Sequence, residues 1–318
     1  LAEDLATSAG VTLITKGSVI TPNSVTRLIK LQATQPKLQL TIRVEKNDGL
    51  VGKFRKEIHA IIDSIFQHRM KTKIYRGLFF DVRNEIGSVI DEFLADAEMT
   101  MTVYKMLFMI ESSGLKRSIL FFKHPIQAAL FAVGMILSPQ YNKLIMQDNE
   151  WNRSRLLDVF KTGMFHNYGA LASLDRVLKN KPEDRFDLYI EANKDSHLML
   201  DSVRPGKEVI DAIGLIQGYY TGRTSFIDRE DWTSTMANVV QVAESFLSQE
   251  CGLFSAPLEP RDVVDGLNVR MMEKKVNRLA VQVLTLGMNL RDIFDFYEEL
   301  EYLTKECIRQ NCGVPYPL

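Results

Sequence analysis

The period of the hydrophobic positions changes near residue 48. Before that point, Val11-Thr12-Leu13-Ile14 and Leu38-Gln39-Leu40-Thr41-Ile42-Arg43-Val44 alternate with a period of two and are rich in β-branched side chains, the pattern of half-buried strands. Between them, Thr21-Pro22 opens a short helical pattern that carries Val25, Leu28, Ile29 and Leu31. Thr21 suits the N-cap, and Pro22 suits the first helical position, whose N–H has no intrahelical partner in any case. Residues 1–48 therefore predict a small α+β unit.

Asn47-Asp48-Gly49 is a turn signal, and after it the apolar positions follow a helical period. Phe54, Ile58, Ile61, Ile62, Ile65 and Phe66 form one stripe. Ile86, Ile90, Phe93 and Leu94, and then Tyr104, Leu107 and Phe108, form another. Further helices are predicted around 124–137, 152–164, 184–203, 207–219, 234–249, 261–286 and 289–310, each bounded by Gly, Pro, Ser, Asn or Asp. No internal repeat or low-complexity tract interrupts them. The fold class read from this pattern is mainly α, a helical bundle with a small N-terminal α+β unit. The pattern itself sets a boundary at 48 and leaves one helical domain of about 250 residues. The finer division into 49–110 connecting helices, a 111–311 helical domain and a 312–318 tail rests on the resemblance described below.

Composition narrows the function classes. A chain of 318 residues that is 46% hydrophobic can bury a substantial core. Its net charge of -1 supplies no basic field for neutralising many phosphates, so DNA and RNA are not expected partners. No uninterrupted apolar run reaches the roughly 18 residues of a spanning helix. The best candidate, 128–137, has the length of a buried core helix, so membrane insertion is not expected. No secretory segment is visible and the expected location is cytoplasmic. The start at Leu1, without Met, leads to the expectation of an upstream region, and the stretch from Cys312 to Leu318 to that of a following domain. Cys251, Cys307 and Cys312 are odd in number and lack CxxC spacing, which argues against a zinc knuckle or a disulfide framework.

The candidate chemistry lies in Gly163-Met164-Phe165-His166-Asn167-Tyr168-Gly169-Ala170. This segment resembles the LLHDIGK core of the HD-GYP family, helical metal-dependent phosphodiesterases that open cyclic dinucleotides. Other landmarks recur in the family's order over roughly residues 110 to 300. His124-Pro125-Ile126-Gln127-Ala128-Ala129-Leu130 is similar to the helix that carries the family's first ligand. Asp175-Arg176-Val177-Leu178-Lys179-Asn180-Lys181-Pro182 is similar to the stretch after the signature. Asn193 falls where a further His begins a helix. Ala212 to Arg223 is similar to the segment with paired His residues, and here Ile216 and Gln217 stand in their places, with Thr224-Ser225-Phe226 at the GYP tripeptide. Ala237 to Phe246 is similar to the segment that closes the metal site, with Glu244 at the position of the last metal Asp.

The resemblance implies an HD-domain-like fold whose reactive positions have been exchanged. Asn167 stands for the ligand Asp and Ala170 for the phosphate-binding Lys. Two dications a few ångströms apart need a bridging anionic oxygen to generate hydroxide at neutral pH. The amide of Asn167 supplies no charge, Ile216 has no lone pair, and Gln217 is a weak ligand. The leading expectation is therefore a catalytically defective relative with no cofactor and no catalytic residues, acting as a signalling or protein-interaction module in a bacterial cyclic-dinucleotide context. The implied partners are another protein, a second copy of the chain among the candidates, and a cyclic dinucleotide. Two alternatives stay open. His124, His166 and Glu244 form a two-His, one-carboxylate set that suits one zinc, iron or manganese ion, giving a reduced phosphodiesterase. The emptied pocket is also open to sensing a cyclic dinucleotide without cleaving it.

Several residues carry weaker signals. His197 lies four residues after Asn193, and Arg176 and Arg223 are candidate anion contacts, but a surface or locally paired role is the simpler expectation for each. His59 and His68 are expected to be structural, and Glu298-Glu299 to belong to a solvated face. The stripes at 261–286 (Val263, Val264, Leu267, Met271, Val276, Leu279, Val283, Leu286) and 289–310 (Ile293, Phe294, Phe296, Leu300, Leu303) suit either a dimer seam or packing on the chain's own core.

Overall fold

The computed structural model describes residues 5–6, 12–15, 48–112, 118–139, 153–180, 184–194, 196–221 and 231–309. The predicted helix at 21–31, the predicted strand at 38–44, Arg223, the 224–226 tripeptide and Cys312 with the tail lie outside these residues. The chain divides into two compact units, Leu1–Lys53 and Phe54–Leu318. In the first, β1 (Leu5–Ala6) pairs antiparallel with β2 (Thr12–Ile14), Leu5 opposite Ile14 and Ala6 opposite Thr12. β2 falls on the predicted 11–14 segment. β1 carries too short an alternation to be read from sequence.

The second unit is mainly helical. α1 (Asp48–Lys71) enters it, and a 3-10 turn (Lys73–Tyr75) leads to α2 (Arg76–Phe79), α3 (Arg83–Ala95), α4 (Ala97–Ser112) and α5 (Ser118–Leu137). There follow α6 (Arg153–Phe165), α7 (Tyr168–Ala172), α8 (Leu174–Leu178), α9 (Arg185–Asn193) and α10 (Ser196–Met199), and then a second 3-10 turn (Leu200–Ser202). The last five are α11 (Lys207–Thr221), α12 (Trp232–Glu250), α13 (Pro260–Met272), α14 (Arg278–Gly287) and α15 (Arg291–Arg309).

α5 is the central element and packs against α4, α6 and α12. It begins six residues before the predicted 124, so His124 and Pro125 lie inside the helix and not at its start. The polar residues Lys123, His124 and Gln127 hide this length from a search for uninterrupted apolar runs. By length and composition, Ile119–Leu137 is long and apolar enough to cross a bilayer, with mean hydropathy 1.6, and 78% of that window is buried within the fold. Ile126, Phe131, Val133 and Ile136 of this helix are fully inaccessible, as expected of a helix apolar on all sides that forms a core.

Two predicted helices are each broken. The 184–203 stretch becomes α9, α10 and the 3-10 turn. The 261–286 stretch ends α13 at Met272, where Lys274 adopts a left-handed φ of 59°. Asn277 then restarts the chain as α14, its side chain accepting from the Ala280 N–H at 2.9 Å, the geometry of an N-cap. The apolar stripe of α13 and α14 packs onto α12 of the same chain, with Val263, Val264, Leu267, Met271, Val276 and Val283 buried. On α15, Ile293 and Tyr297 are buried, whereas Phe296 and Leu303 are exposed. Glu298 pairs with Arg278, and Glu299 is solvated, as expected.

Two features fix the core around the site. α6 closes on α5 at Gly163, where an added Cβ would lie 2.4 Å from Ala129 Cα and 2.6 Å from Ala129 N. Only a residue without a side chain permits this approach. At the far end of α12, Arg69 is buried and donates to both carboxylate oxygens of Glu250, at 2.7 and 2.8 Å, while Tyr75 Oη donates to the same carboxylate at 3.0 Å. Burial opposes ionisation of Glu250. The Arg69 guanidinium, with Cys251 and Tyr75 also donating, nevertheless holds the carboxyl below its ordinary range.

Gly163→Ala is expected to lower unfolding stability by about 1–3 kcal/mol, the usual cost of overpacking a filled interior, read as a shift in the urea midpoint. Glu250→Gln leaves Arg69 buried without its counter-charge, and a loss of about 3–5 kcal/mol at pH 7 is expected. Because the Glu250 pKa is depressed in the folded chain, its contribution is present above the ordinary 4.5 and is lost as pH falls through the folded value. The gap between wild type and variant should be constant near neutrality and narrow below about pH 4.5, as measured by denaturant midpoints across pH.

Candidate functional site

Three helices meet at the candidate site. α5 brings His124, the turn after α6 brings His166 and Asn167, and α12 brings Glu244. The close approach at Gly163 sets their separation, since His166 follows Gly163 by three residues and His124 precedes Ala129 by five. All four side chains are buried, at 1% exposure or less. One ligand atom from each of His124, His166 and Glu244 lies within 4.8 Å of the others. The two imidazole centroids are 5.4 Å apart, and His124 Nε2 is 3.7 Å from Glu244 Oε1. The structure thus brings together the three residues singled out from sequence as a reduced metal set.

Hydrogen bonds define the state of each group. His166 Nδ1 lies 2.7 Å from the Gly163 carbonyl, which can only accept, so the proton sits on Nδ1 and Nε2 keeps its lone pair. Burial, with the neighbouring His124, pulls this imidazole down to about 3, and the Gly163 bond only partly opposes the shift. His166 is therefore neutral. Its Nε2 faces the Tyr189 hydroxyl at 3.5 Å. Burial first, and then the Glu244 carboxylate, keep that hydroxyl well above its ordinary pKa and hence protonated. Tyr220 Oη donates to Glu244 Oε2. Among the described residues, both ring nitrogens of His124 and Oε1 of Glu244 have no hydrogen-bond partner.

Of the positions that the resemblance marks as exchanged, Asn193 and Gln217 hold backbone beside this triad. Asn193 Oδ1 accepts from the Ala170 N–H at 2.8 Å, and Ser196 Oγ accepts from the Gly169 N–H at 2.9 Å, so the free donors at the start of α7 are satisfied from α9 and α10. Gln217 Nε2 donates to the His166 carbonyl at 2.9 Å. Ile216 and Ala170 are fully buried and apolar. The Asn167 amide faces the Tyr189 hydroxyl but makes no hydrogen bond of ordinary geometry. Asn193 ends α9 and does not begin a helix.

The donor set fits one metal ion better than two. Ligands on one tetrahedral zinc, each at about 2.0–2.1 Å, stand about 3.4 Å apart, so the 3.7 Å His124–Glu244 gap is close, whereas the 4.8 Å outer limit of the set would have to close by about 1.4 Å for all three to share one ion. His166 has one nitrogen held by a carbonyl, as in a metal-ligating imidazole, and the lone pair of the other is met by the Tyr189 hydroxyl at 3.5 Å. A single carboxylate offsets only one of the two charges of the ion, and none of the remaining described groups at the triad supplies the anionic bridge that a second ion needs.

The other candidates lie elsewhere. His197 is half-buried on α10 against Gly214, and Arg176 is exposed. His59 is exposed and sits 3.2 Å from Asp91 Oδ1, and His68 is exposed. Sequence reasoning missed Tyr189, Tyr220 and Ser196. Spacing held a signal for two of them: Tyr189 is four residues before Asn193 and Tyr220 three after Gln217, each on one helix face. A cavity of about 770 Å³ opens onto Glu244 and Tyr220, within the range of small-molecule sites. Comparison with protein-family models, curated proteins and solved structures gives no match to this chain.

Asn193→Ala would leave the buried Ala170 N–H unpaired. The expected cost is about 1–3 kcal/mol, with amide exchange accelerated at Gly169 and Ala170 ahead of the core of α5, as measured by hydrogen-exchange mass spectrometry.

Proposed function

We propose that this chain is a catalytically defective HD-GYP-like module that works through protein contacts in a bacterial, cytoplasmic cyclic-dinucleotide signalling context. The observation that carries this reading is the use made of the exchanged positions. Asn193 and Gln217 fall where the resemblance puts metal-binding imidazoles, and their amides are instead committed to the backbone of the 166–170 turn. A side chain spent on holding main chain is not available to a metal. Ala170 and Ile216 complete the set with groups that neither bind phosphate nor donate a lone pair. A hydroxide-generating pair of ions therefore lacks both its ligands and its bridge, while the helical frame keeps its packing and its surface.

A second reading has its own support. The unpartnered atoms of His124 and Glu244, and the lone pair of His166 held toward them, suit one divalent transition metal. Bound there, an ion would supply Lewis acidity. The chain's own residues would hold it by His124, His166 and Glu244, and Tyr189 and Tyr220 would fix the orientation of the ligands.

Elemental analysis of the purified protein, paired with assays on cyclic di-GMP and bis(p-nitrophenyl) phosphate, separates these readings. The expected result is no turnover above background and at most one equivalent of metal per chain. Turnover that follows a stoichiometric metal and disappears in His166→Ala would establish the reduced enzyme instead.

A further inference from the structure

The outer face of the α13–α15 pair is apolar along its middle and acidic at its rim. Arg261 of α13 pairs with Asp292 of α15, and about one turn further along both helices the Tyr297 hydroxyl donates to Asp265 Oδ1 at 2.9 Å. The two helices therefore lie side by side and run in the same direction. On α13, Val269 follows Asp265 by one turn, on the flank next to α15, and is 43% exposed. On α15, Phe296 and Leu303 lie two turns apart on one face and are 57% and 53% exposed, with half-buried Leu300 between them. Arg278 at the start of α14 pairs with Glu298 and Glu301, so α14 occupies the other flank of α15. Val269, Phe296, Leu300 and Leu303 thus border one groove that no described element covers. Gly266 leaves the α13 side of it bare, since an added Cβ there would meet nothing within 4 Å, and a partner's backbone can come close.

Charge selects the occupant. Asp262 on α13 and Asp295 and Glu299 on α15 are exposed and have no ion pair among the described residues. Glu299 falls in the stripe between Phe296 and Leu303. The neighbouring cations are directed elsewhere: Arg261 and Arg278 are paired, Arg291 lies on the flank of α15 away from Phe296, and Arg270, Lys274 and Lys275 line the cavity beside Glu244. Exposed apolar side chains on one face with a polar rim mark an interaction surface. A second copy presenting the same face would set acid against acid, and an anionic lipid surface would be repelled in the same way.

We infer that this groove docks a basic amphipathic helix of a partner protein, with its apolar stripe on Val269, Phe296, Leu300 and Leu303 and its cations on Asp262, Asp295 and Glu299. The inference rests on the reading of the chain as a protein-contact module and names the chemistry of that contact. An amphipathic helix laid in a groove is held through anchors at i, i+4 and i+7, the spacing that Phe296, Leu300 and Leu303 present to it.

Fluorescence anisotropy on the full chain tests it, with a labelled peptide of two Leu-Lys-Lys-Leu-Leu-Lys-Leu repeats and its counterpart with Glu for Lys. The lysine peptide should bind at one per chain, with affinity falling as salt rises, and the glutamate peptide should bind at least about tenfold more weakly. Glu299→Lys and Leu303→Ser should each lower affinity for the lysine peptide about tenfold or more without moving the thermal midpoint, because both side chains are exposed. Glu85→Lys, at an exposed position on α3, should leave the affinity unchanged. No binding at high micromolar peptide, equal affinity for the two peptides, or a loss in Glu85→Lys as large as that in Glu299→Lys would each overturn the proposal. A dimer seen by sedimentation velocity and abolished by Leu303→Ser would give the groove to a second copy and overturn it too. Turnover of a phosphodiester with peptide binding intact would overturn the non-hydrolytic reading and leave this one standing, and absence of both binding and turnover would do the reverse.

Discussion

The approach of α6 to α5 at Gly163 is the constraint on which the rest of the structure depends. The two helices can reach this separation only because one of them presents bare backbone to Ala129, with no room for a Cβ. That approach lets Phe160 and Phe165 sink beside Phe93 and puts His166 within reach of His124 on the neighbouring helix. α12 then packs across α5 and α6 and supplies Glu244. The geometry of the triad is a consequence of packing, since dispersion and apolar burial hold the helices and the polar residues occupy positions that packing has already fixed.

A buried set of two imidazoles and a carboxylate has to be neutralised or partnered, and the molecule does this with neutral groups for His166 and for one oxygen of Glu244, while His124 and the other oxygen of Glu244 have no hydrogen-bond partner among the described residues. His166 is kept uncharged by burial and oriented by a carbonyl. The Tyr189 hydroxyl is held protonated beside it, and Tyr220 donates to Glu244. Each of these arrangements lowers the need for a cation. The amides of Asn193 and Gln217 push in the same direction, because they pair with main chain and carry no charge into the interior. A single substitution here would not create a two-metal centre. A carboxylate at Asn167 without the missing imidazoles would be a buried charge with too few partners.

The helical period was legible in the chain because most helices are amphipathic or core-filling over many residues. The expected positions of α6, α11, α12 and α15 lie within about two residues of the observed ones, the ordinary uncertainty of helix ends. What escaped were local events. Lys274 carries a left-handed turn without a glycine to announce it, so α13 and α14 read as one helix. The helix predicted from 124 begins at Ser118, so Pro125 sits inside α5, where the burial of Phe121 and Phe122 ahead of it holds the extra turns in place. At the site, the convergence of His124, His166 and Glu244 was legible only through the order of landmarks. The partners that decide their state, Tyr189 and Tyr220, were hidden because a tyrosine on a helix face reads equally well as core.

The triad and the cavity beside it make different demands on the side chains around them. Hydrolysis needs charge concentrated at the triad, where several donors must meet within tenths of an ångström. Binding needs only complementary charge and a surface of the right shape, which tolerates far looser geometry. Arg270 and Lys274 stand on α13 and its following turn, on a different stretch of chain from Asn167, Ala170, Asn193, Ile216 and Gln217. Cationic side chains are gathered on the α13 turn, while the triad holds a single carboxylate.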